Sequence, residues 1–294
     1  MKRIGIVGVG LLGGAVAQRL LAAGFAVTGH DVRRETIDAL VPLGLRPAAS
    51  LADAVAGADL VFTILPSLDV VDAAVRGADG ILARVRRDTV LAQMSTISPP
   101  LTRALGEAAA ARGVRFLDTP MSGTSSMVAR GDCTIFVAGE TAHADAARPV
   151  FDAIAKKTLY VGPVGTATVA KLATNLLVGL NTAALAEALV LGAKGGLEPA
   201  RLLDILRESA AGSRMVDVRG PLMVQRDFTA QMKLDLFLKD FTLMLDEGKR
   251  VGAPLLLTGI ARELAGAAAN AGHGSDDLAA IVTTIERMAG LGDR

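Results

Sequence analysis

The chain holds one cysteine, no tryptophan, one tyrosine and three histidines in 294 residues. A lone thiol, Cys133, cannot close an internal disulfide, and His30, His143 and His273 give it no neighbours at metal-ligand spacing. A disulfide-stapled scaffold and a metal centre are therefore not expected, and Cys133 reads as a small core side chain. Charge of one sign is equally scarce: the formal net charge is +1, and no basic run is interleaved with aromatics. That leaves no electrostatic footprint for nucleic acid or for a membrane surface. No long apolar run is free of polar residues either. The most apolar stretch, Val169 to Ala193, is interrupted by Lys171, Asn175, Asn181 and Glu187, which reads as a buried helix rather than a membrane span. Met1 leads directly into an apolar strand with no signal-peptide pattern before it, so the expected compartment is the reducing cytoplasm.

What is abundant is apolar surface to bury: 51% of the residues are hydrophobic, enough at this length for two domains. Met1 to Asp31 read as one unit: an apolar strand (Ile4 to Val7), a turn with Gly8, Gly10 and Gly13, an apolar helix (Leu11 to Ala23), a second strand (Phe25 to Gly29), then an acid. Gly8 permits the tight turn, Gly10 removes a Cβ so that backbone amides can approach a pyrophosphate, and Gly13 lets the helix pack on the strand. The helix then aims its unpaired N–H groups at the phosphates. Asp31 falls where a carboxylate accepts hydrogen bonds from both ribose hydroxyls of an adenosine, which favours NAD. Arg33 and Arg34 leave NADP open, because guanidinium groups there can hold a 2′-phosphate.

Strands and helices keep alternating through Val161, and such alternation predicts a parallel sheet. The expected helices are Glu35 to Leu43, Leu51 to Ala56, Val70 to Val75, Pro100 to Arg112 and Ala142 to Ala155; the expected strands are Leu60 to Leu65, Thr89 to Gln93, Arg115 to Asp118, Thr134 to Ala138 and Thr158 to Val161. From Gly165 onward strand signals vanish, and the helical stretches Ala167 to Gly195, Pro199 to Ser209, Leu234 to Val251, Leu255 to Ala271 and Ala279 to Met288 follow. The expected fold is a Rossmann-type, doubly wound, mainly parallel α/β domain (residues 1–163), followed by an all-α domain (residues 164–294) entered through a long interdomain helix that floors a cleft.

Lys171 and Asn175 stand at i and i+4 of that helix and share one face. A lysine in an apolar, partly desolvated site exchanges a proton with a substrate oxygen more readily than one in water, and an asparagine can orient that oxygen. A lysine that snorkels to solvent fits the same segment. Asp118-Thr119-Pro120-Met121-Ser122-Gly123 follows a strand and runs into Thr124, Ser125 and Ser126, a turn that can offer N–H and O–H donors to a carboxylate or be a plain polar loop. Leu65-Pro66 and Ser95-Thr96 lie at carboxyl ends of parallel strands, where ligands bind in open sheets. Lys239-Asp240, read alone, is an exposed charged pair, and Ser213 and Arg214 lie in a glycine-broken link between helices.

With these residues in place, the chain resembles the 3-hydroxyacid dehydrogenase family, which includes 3-hydroxyisobutyrate dehydrogenase and tartronate and succinic semialdehyde reductases. The resemblance runs nearly end to end through Gly8-Val9-Gly10-Leu11-Leu12-Gly13, Asp118 to Gly123, Gly162-Pro163-Val164-Gly165-Thr166-Ala167 leading to Lys171 and Asn175, and Lys239-Asp240. It implies Lys171 as the catalytic acid/base with Asn175 beside it, and Ser122, Gly123 and Thr124 on the substrate carboxylate. It also implies a nicotinamide dinucleotide held by Gly8, Gly10, Leu11, Leu12, Gly13, Asp31, Leu65, Pro66, Thr96 and Lys239, and a homodimer or homotetramer formed through the helical domain. The expected reaction moves a hydride between a short 3-hydroxy acid and its semialdehyde. The chain departs from the family pattern at Met121 (usually valine), Thr124 (usually glycine) and Met94 (commonly serine), so the substrates of relatives do not transfer to it directly. Two rival readings keep the fold. Imine reductases usually lack a lysine at the Lys171 position, and a non-catalytic dinucleotide-binding module has no use for Lys171, Asn175 and Ser122 together.

Overall fold

The computed structural model describes residues 1–292 and divides into two compact units, Met1–Lys171 and the chain from Leu172 onward. In the first unit one sheet contains β1 (Arg3–Val7), β2 (Ala26–His30), β3 (Arg46–Pro47), β4 (Leu60–Thr63), β5 (Val90–Gln93), β6 (Arg115–Asp118), β7 (Met121–Ser122), β8 (Thr134–Gly139) and β9 (Lys157–Gly162). Its order is β3-β2-β1-β4-β5-β6-β8-β7, with β9 added to β8. Side chains alternate between two apolar layers. Ile4, Ile6, Leu60, Phe62, Val90 and Ala92 pack on one face with Val16, Leu20 and Phe151. Val7, Val61 and Leu91 pack on the other with Val75, Ile97 and Leu105. Burial on both faces is why these strands read as continuous apolar runs.

From β3 to β6 every pairing is parallel. The parallel series expected to continue through Thr134 to Ala138 does not hold, because β8 runs antiparallel to both β6 and β7. Between β6 and β8 lie β7, which itself pairs antiparallel with β8, and only the short helix Ser125–Ala129, so no long helix carries the chain back for a parallel return. The helix Thr141–Ile154 supplies that crossover between β8 and β9, which pair parallel. Chain direction reverses about β1: it leaves toward β2 on one side and neighbours β4 on the other. In open sheets this switch point, at the carboxyl ends of the strands, is where ligands bind.

Helix Thr166–Lys194 begins in the first unit and continues into the second. It is long and apolar enough to cross a membrane by length and composition. It is not the enclosed helix its composition predicted: well under half of its most apolar stretch is buried, with Leu177 58% and Leu191 75% exposed.

In the second unit the helices Pro199–Glu208, Arg214–Gln225, Leu234–Val251, Leu256–Ala268 and Ile281–Met288 follow. Arg214–Gln225 replaces the expected link. Ser213 caps it by accepting the Val216 N–H at 3.3 Å, and Pro221 is accommodated inside it. Gly179 of the long helix faces the edge-to-face pair Phe237 and Phe241, whose rings would lie 2.6 to 3.0 Å from any Cβ placed there. Glycine thus permits close approach of these two helices. Elsewhere in the unit, the buried Asp277 gathers four donors: Arg219 Nε (3.2 Å) and the backbone N–H groups of Gln231 (3.1 Å), Met232 (2.9 Å) and Ala279 (3.0 Å). Burial pulls the Arg219 guanidinium below its ordinary value, against the opposing pull of Asp277.

Candidate active site

The turn leaving β1 is built by backbone contact. A Cβ on Gly8 (φ +95°) would lie 2.2 Å from the Ile64 carbonyl oxygen, and one on Gly13 would lie 2.0 Å from the Gly8 carbonyl oxygen. Neither backbone atom can yield cheaply, so these two glycines are required by the turn itself. Gly10 differs: its missing Cβ would meet only the tip of the Arg33 guanidinium, at 2.9 Å. Gly10 also starts helix Leu11–Ala22, which has no side-chain cap and no acid in its first turn. Leu11 is exposed and Leu12 half-buried beside these amides. Bare backbone with open N–H groups at a helix start fits a pyrophosphate. The residues present therefore fit a dinucleotide.

Asp31 follows β2 and is tied back to the same turn. One carboxylate oxygen accepts the Val9 N–H at 2.8 Å; the other accepts the Arg33 N–H at 2.9 Å and lies 3.4 Å from Arg33 Nε. The acid is thus fixed beside the glycine turn, and the oxygen that accepts from Val9 keeps a lone pair for a further donor.

A buried polar network joins the ends of β4 and β5. Ser95 Oγ accepts the Leu65 N–H (2.9 Å) and donates to the Thr63 carbonyl (3.2 Å). Gln93 Oε1 accepts the Ser95 N–H (2.7 Å), and its Nε2 donates to the Ser95 carbonyl (2.8 Å). These bonds fix Leu65-Pro66 and the loop carrying Thr96 at the switch point. Gln93 did not stand out in the sequence; the available signal was an amide ending an otherwise apolar strand.

Asp118 ends β6, fully buried, and holds the start of helix Thr166–Lys194. Its Oδ2 accepts the N–H groups of Gly165 (3.0 Å) and Thr168 (2.9 Å), and its Oδ1 lies 2.8 Å from the Thr168 hydroxyl oxygen. Burial pushes this carboxyl up to about 6, against the lowering effect of those donors. Ala167 and Ala170 pack on Phe136 and Ala138 of β8, which seats the helix on the sheet. Lys171, on the same turn, is only 6% exposed. That excludes the solvent-snorkelling alternative.

Ser122 pairs across β7 with Thr134, two residues before Phe136, so β8 carries both the Ser122 strand and the seat of the Lys171 turn. Gly123 has φ +152°, and a Cβ there would lie 2.9 Å from Cys133 Cβ. Thr124 is drawn into local structure: its hydroxyl accepts the Met127 N–H (3.3 Å), capping helix Ser125–Ala129, and lies 2.9 Å from Ser126 Oγ. The expected polar turn is therefore a capped helix. Cys133 is buried as expected, and burial pushes its thiol up to about 11, away from reactivity.

In the second unit, Asn175 Nδ2 donates to Asp240 Oδ2 at 2.8 Å, and Asp240 Oδ1 lies 3.3 Å from Lys239 Nζ. One buried carboxylate thus connects Asn175 with Lys239. Lys239 lines a cavity of about 600 Å³ with Asp235, Leu238, Thr242, Arg262 and Asn270, so it is not simply part of an exposed charged face. Asp240 shares the buried face of its helix with Phe237, Phe241 and Met244, a spacing at which an acid among apolar residues is a readable signal.

A glycine turn at the switch point of a β3-β2-β1-β4-β5-β6 sheet, with an acid just past the end of β2, defines a dinucleotide-binding α/β protein. Residues 3–162 match the family described as the NAD binding domain of 6-phosphogluconate dehydrogenase, and residues 165–285 match NAD-binding of NADP-dependent 3-hydroxyisobutyrate dehydrogenase. The chain belongs to the 3-hydroxyacid dehydrogenase family and is an NAD(P)-dependent oxidoreductase. It is 32% identical to a 2-(hydroxymethyl)glutarate dehydrogenase of Eubacterium barkeri, covering 98% of this chain and 96% of the relative. It is 33% identical to an L-threonate dehydrogenase of Cupriavidus necator, covering 96% and 95%. A solved 3-hydroxyisobutyrate dehydrogenase from Salmonella typhimurium superposes with a TM-score of 0.88 at 28% identity, covering 96% of this chain and 99% of that one. An imine reductase from Myxococcus stipitatus, at 22% identity and a TM-score of 0.66, shares the fold alone.

Proposed function

We propose that the protein interconverts a short 3-hydroxy acid and its semialdehyde, with Lys171 as the proton-exchanging group. The observation that carries this reading is a lysine only 6% exposed on a helix turn anchored to the sheet by Asp118. When bound, the nicotinamide supplies the hydride acceptor or donor. In oxidation the neutral amine of Lys171 takes the hydroxyl proton, and in reduction its ammonium form returns it. Ser122, Gly123 and Thr124 hold the substrate carboxylate, and Asn175, with its amide fixed by Asp240, orients the reacting oxygen. Gly8, Gly10, Leu11, Leu12, Gly13, Leu65, Pro66, Thr96 and Lys239 hold the dinucleotide. In this reading residues 1–163 form the dinucleotide-binding domain, which also supplies Ser122, Gly123 and Thr124, and residues 164–294 form the substrate and assembly domain, which also supplies Lys239. The test is turnover with 3-hydroxyisobutyrate, glycerate, serine, 4-hydroxybutyrate and threonate; failure on every hydroxy acid despite cofactor binding overturns the proposal.

NAD is the preferred cofactor in this reading, supported by Asp31 at the glycine turn. Asp31→Ser removes a charged acceptor and leaves Arg33 to meet a 2′-phosphate. The expected result is a drop of roughly tenfold to a hundredfold in kcat/KM for NAD, with a gain for NADP. An unchanged NAD preference removes the basis for this assignment. The lone, buried thiol supports a reducing, cytoplasmic setting. A homodimer or homotetramer is supported by apolar side chains left uncovered on the helical unit: Leu177, Leu191, Leu256, Leu257 and Ile260. Sedimentation at micromolar concentration should show a mass of at least two chains, and a monomer there refutes the assembly.

A further inference from the structure

Three contacts, the first two buried, run in series from Asp118. Thr168 Oγ1 lies 2.8 Å from Asp118 Oδ1, Thr102 Oγ1 lies 3.0 Å from Thr168 Oγ1, and Thr102 Oγ1 reaches the Ser98 carbonyl at 3.1 Å. Each contact needs one hydrogen, and the two threonine hydroxyls carry only two. If the carboxyl is ionised, Thr168 must donate to it, and Thr102 can then serve Thr168 or Ser98 but not both. A proton on Asp118 Oδ1 completes the chain, with Asp118 donating to Thr168, Thr168 to Thr102, and Thr102 to Ser98. Oδ2 accepts the Gly165 and Thr168 N–H groups in either state.

Burial favours that proton, raising the carboxyl to about 6. The groups around the Asp118 carboxylate, the Thr168 hydroxyl and the N–H groups of Gly165, Ala167 and Thr168, are all neutral. Its strand neighbours are Gln93 on β5 and Ala138 on β8. The nearest charged side chains on the elements packed around it are Arg103, whose guanidinium passes beside Gly165, and Lys171, one turn beyond Thr168; Glu107 on the helix of Arg103 is exposed, and Arg115 starts the strand that Asp118 ends.

We propose that Asp118 is a positioning residue of the reaction, a buried carboxyl that seats the first turn of helix Thr166–Lys194 and holds there the proton that completes the Thr168 and Thr102 hydroxyl chain. Lys171 then stands at a fixed point on a helix whose start cannot slide. This rests on the reading of Lys171 as the proton-exchanging group.

Asp118→Ala removes the seat. Its kcat is expected to fall about tenfold or more, with the NAD dissociation constant within about twofold of the parent and a larger primary deuterium isotope effect, because the chemical step becomes slower. Asp118→Asn mimics the protonated acid: its oxygen can accept both N–H groups and its amide can donate to Thr168, so kcat should return to within about threefold of the parent. A group that only supported stability would lower the melting temperature without changing the isotope effect.

The pH dependence reads the proton directly. An unfolded aspartate releases its proton near about 4, whereas the folded one holds it to about 6. Between those values the folded state binds more protons, so the parent loses stability as pH rises through the window and loses no more above it. Asp118→Asn has nothing to release. Its melting temperature relative to the parent should climb across that window and then level; a flat difference overturns the proton assignment.

Lys171→Ala separates the two ideas. Turnover that survives it overturns the lysine reading and this inference together. Turnover lost in Lys171→Ala but kept within about twofold in Asp118→Ala overturns the inference alone. If Asp118→Ala does not fold, Thr168→Val removes only the hydroxyl. A few-fold loss of kcat with a raised isotope effect supports the seat, and parental values for both refute it.

Discussion

Lys171→Ala is expected to lower kcat by about a hundredfold or more while leaving the NAD dissociation constant nearly unchanged, measured by turnover of the best hydroxy acid and by titration of the cofactor. A hundredfold is about 3 kcal/mol of transition-state stabilisation, within the range removed with a general acid/base. Cofactor binding is spared because the turn that fits the pyrophosphate draws on Gly8 to Gly13 and Asp31 and makes no recorded use of the lysine. A rate within threefold of the parent would assign the side chain to packing. Its burial makes the substitution a fair test, since alanine removes the amine without requiring a new buried polar group.

The largest stability loss is expected from Asp277→Ala. That carboxylate receives the Arg219 guanidinium and three backbone N–H groups from two separate stretches of chain, all in buried or half-buried positions. Removing one partner of a buried ion pair costs about 3 to 5 kcal/mol, and the orphaned N–H groups place this case at the upper end. Domains are stable by only about 5 to 15 kcal/mol, so the helical unit should unfold at far lower denaturant. Arg219→Met is expected to cost less, because Asp277 then keeps its backbone donors. Equal losses in the two variants would show that the ion pair, rather than the backbone cap, dominates.

The features legible in the sequence were those set by neighbours along the chain. The Gly8 to Gly13 turn, the shared face of Lys171 and Asn175 and the apolar strands each depend on a few consecutive residues. The antiparallel return of β8 was not legible, because an apolar run carries no record of its direction. Helix Arg214–Gln225 was hidden by Gly212, Gly220 and Pro221, which locally signal a break; Ser213 as a cap and tertiary packing override them. The partnerships of Asp118 with Thr168 and of Asp240 with Asn175 span 50 and 65 residues, beyond any local pattern. Each motif pointed to its acid, but only the fold gave that acid an occupation.

The three glycines of the first turn answer to different masters. Gly8 and Gly13 are demanded by backbone oxygens of the protein itself, whereas Gly10 is opposed only by a movable guanidinium tip. In a descendant that had abandoned its coenzyme, genetic drift could erase Gly10 while purifying selection for folding still retained the other two. The middle glycine is therefore the one whose survival testifies to use, and the outer pair would persist in a relic.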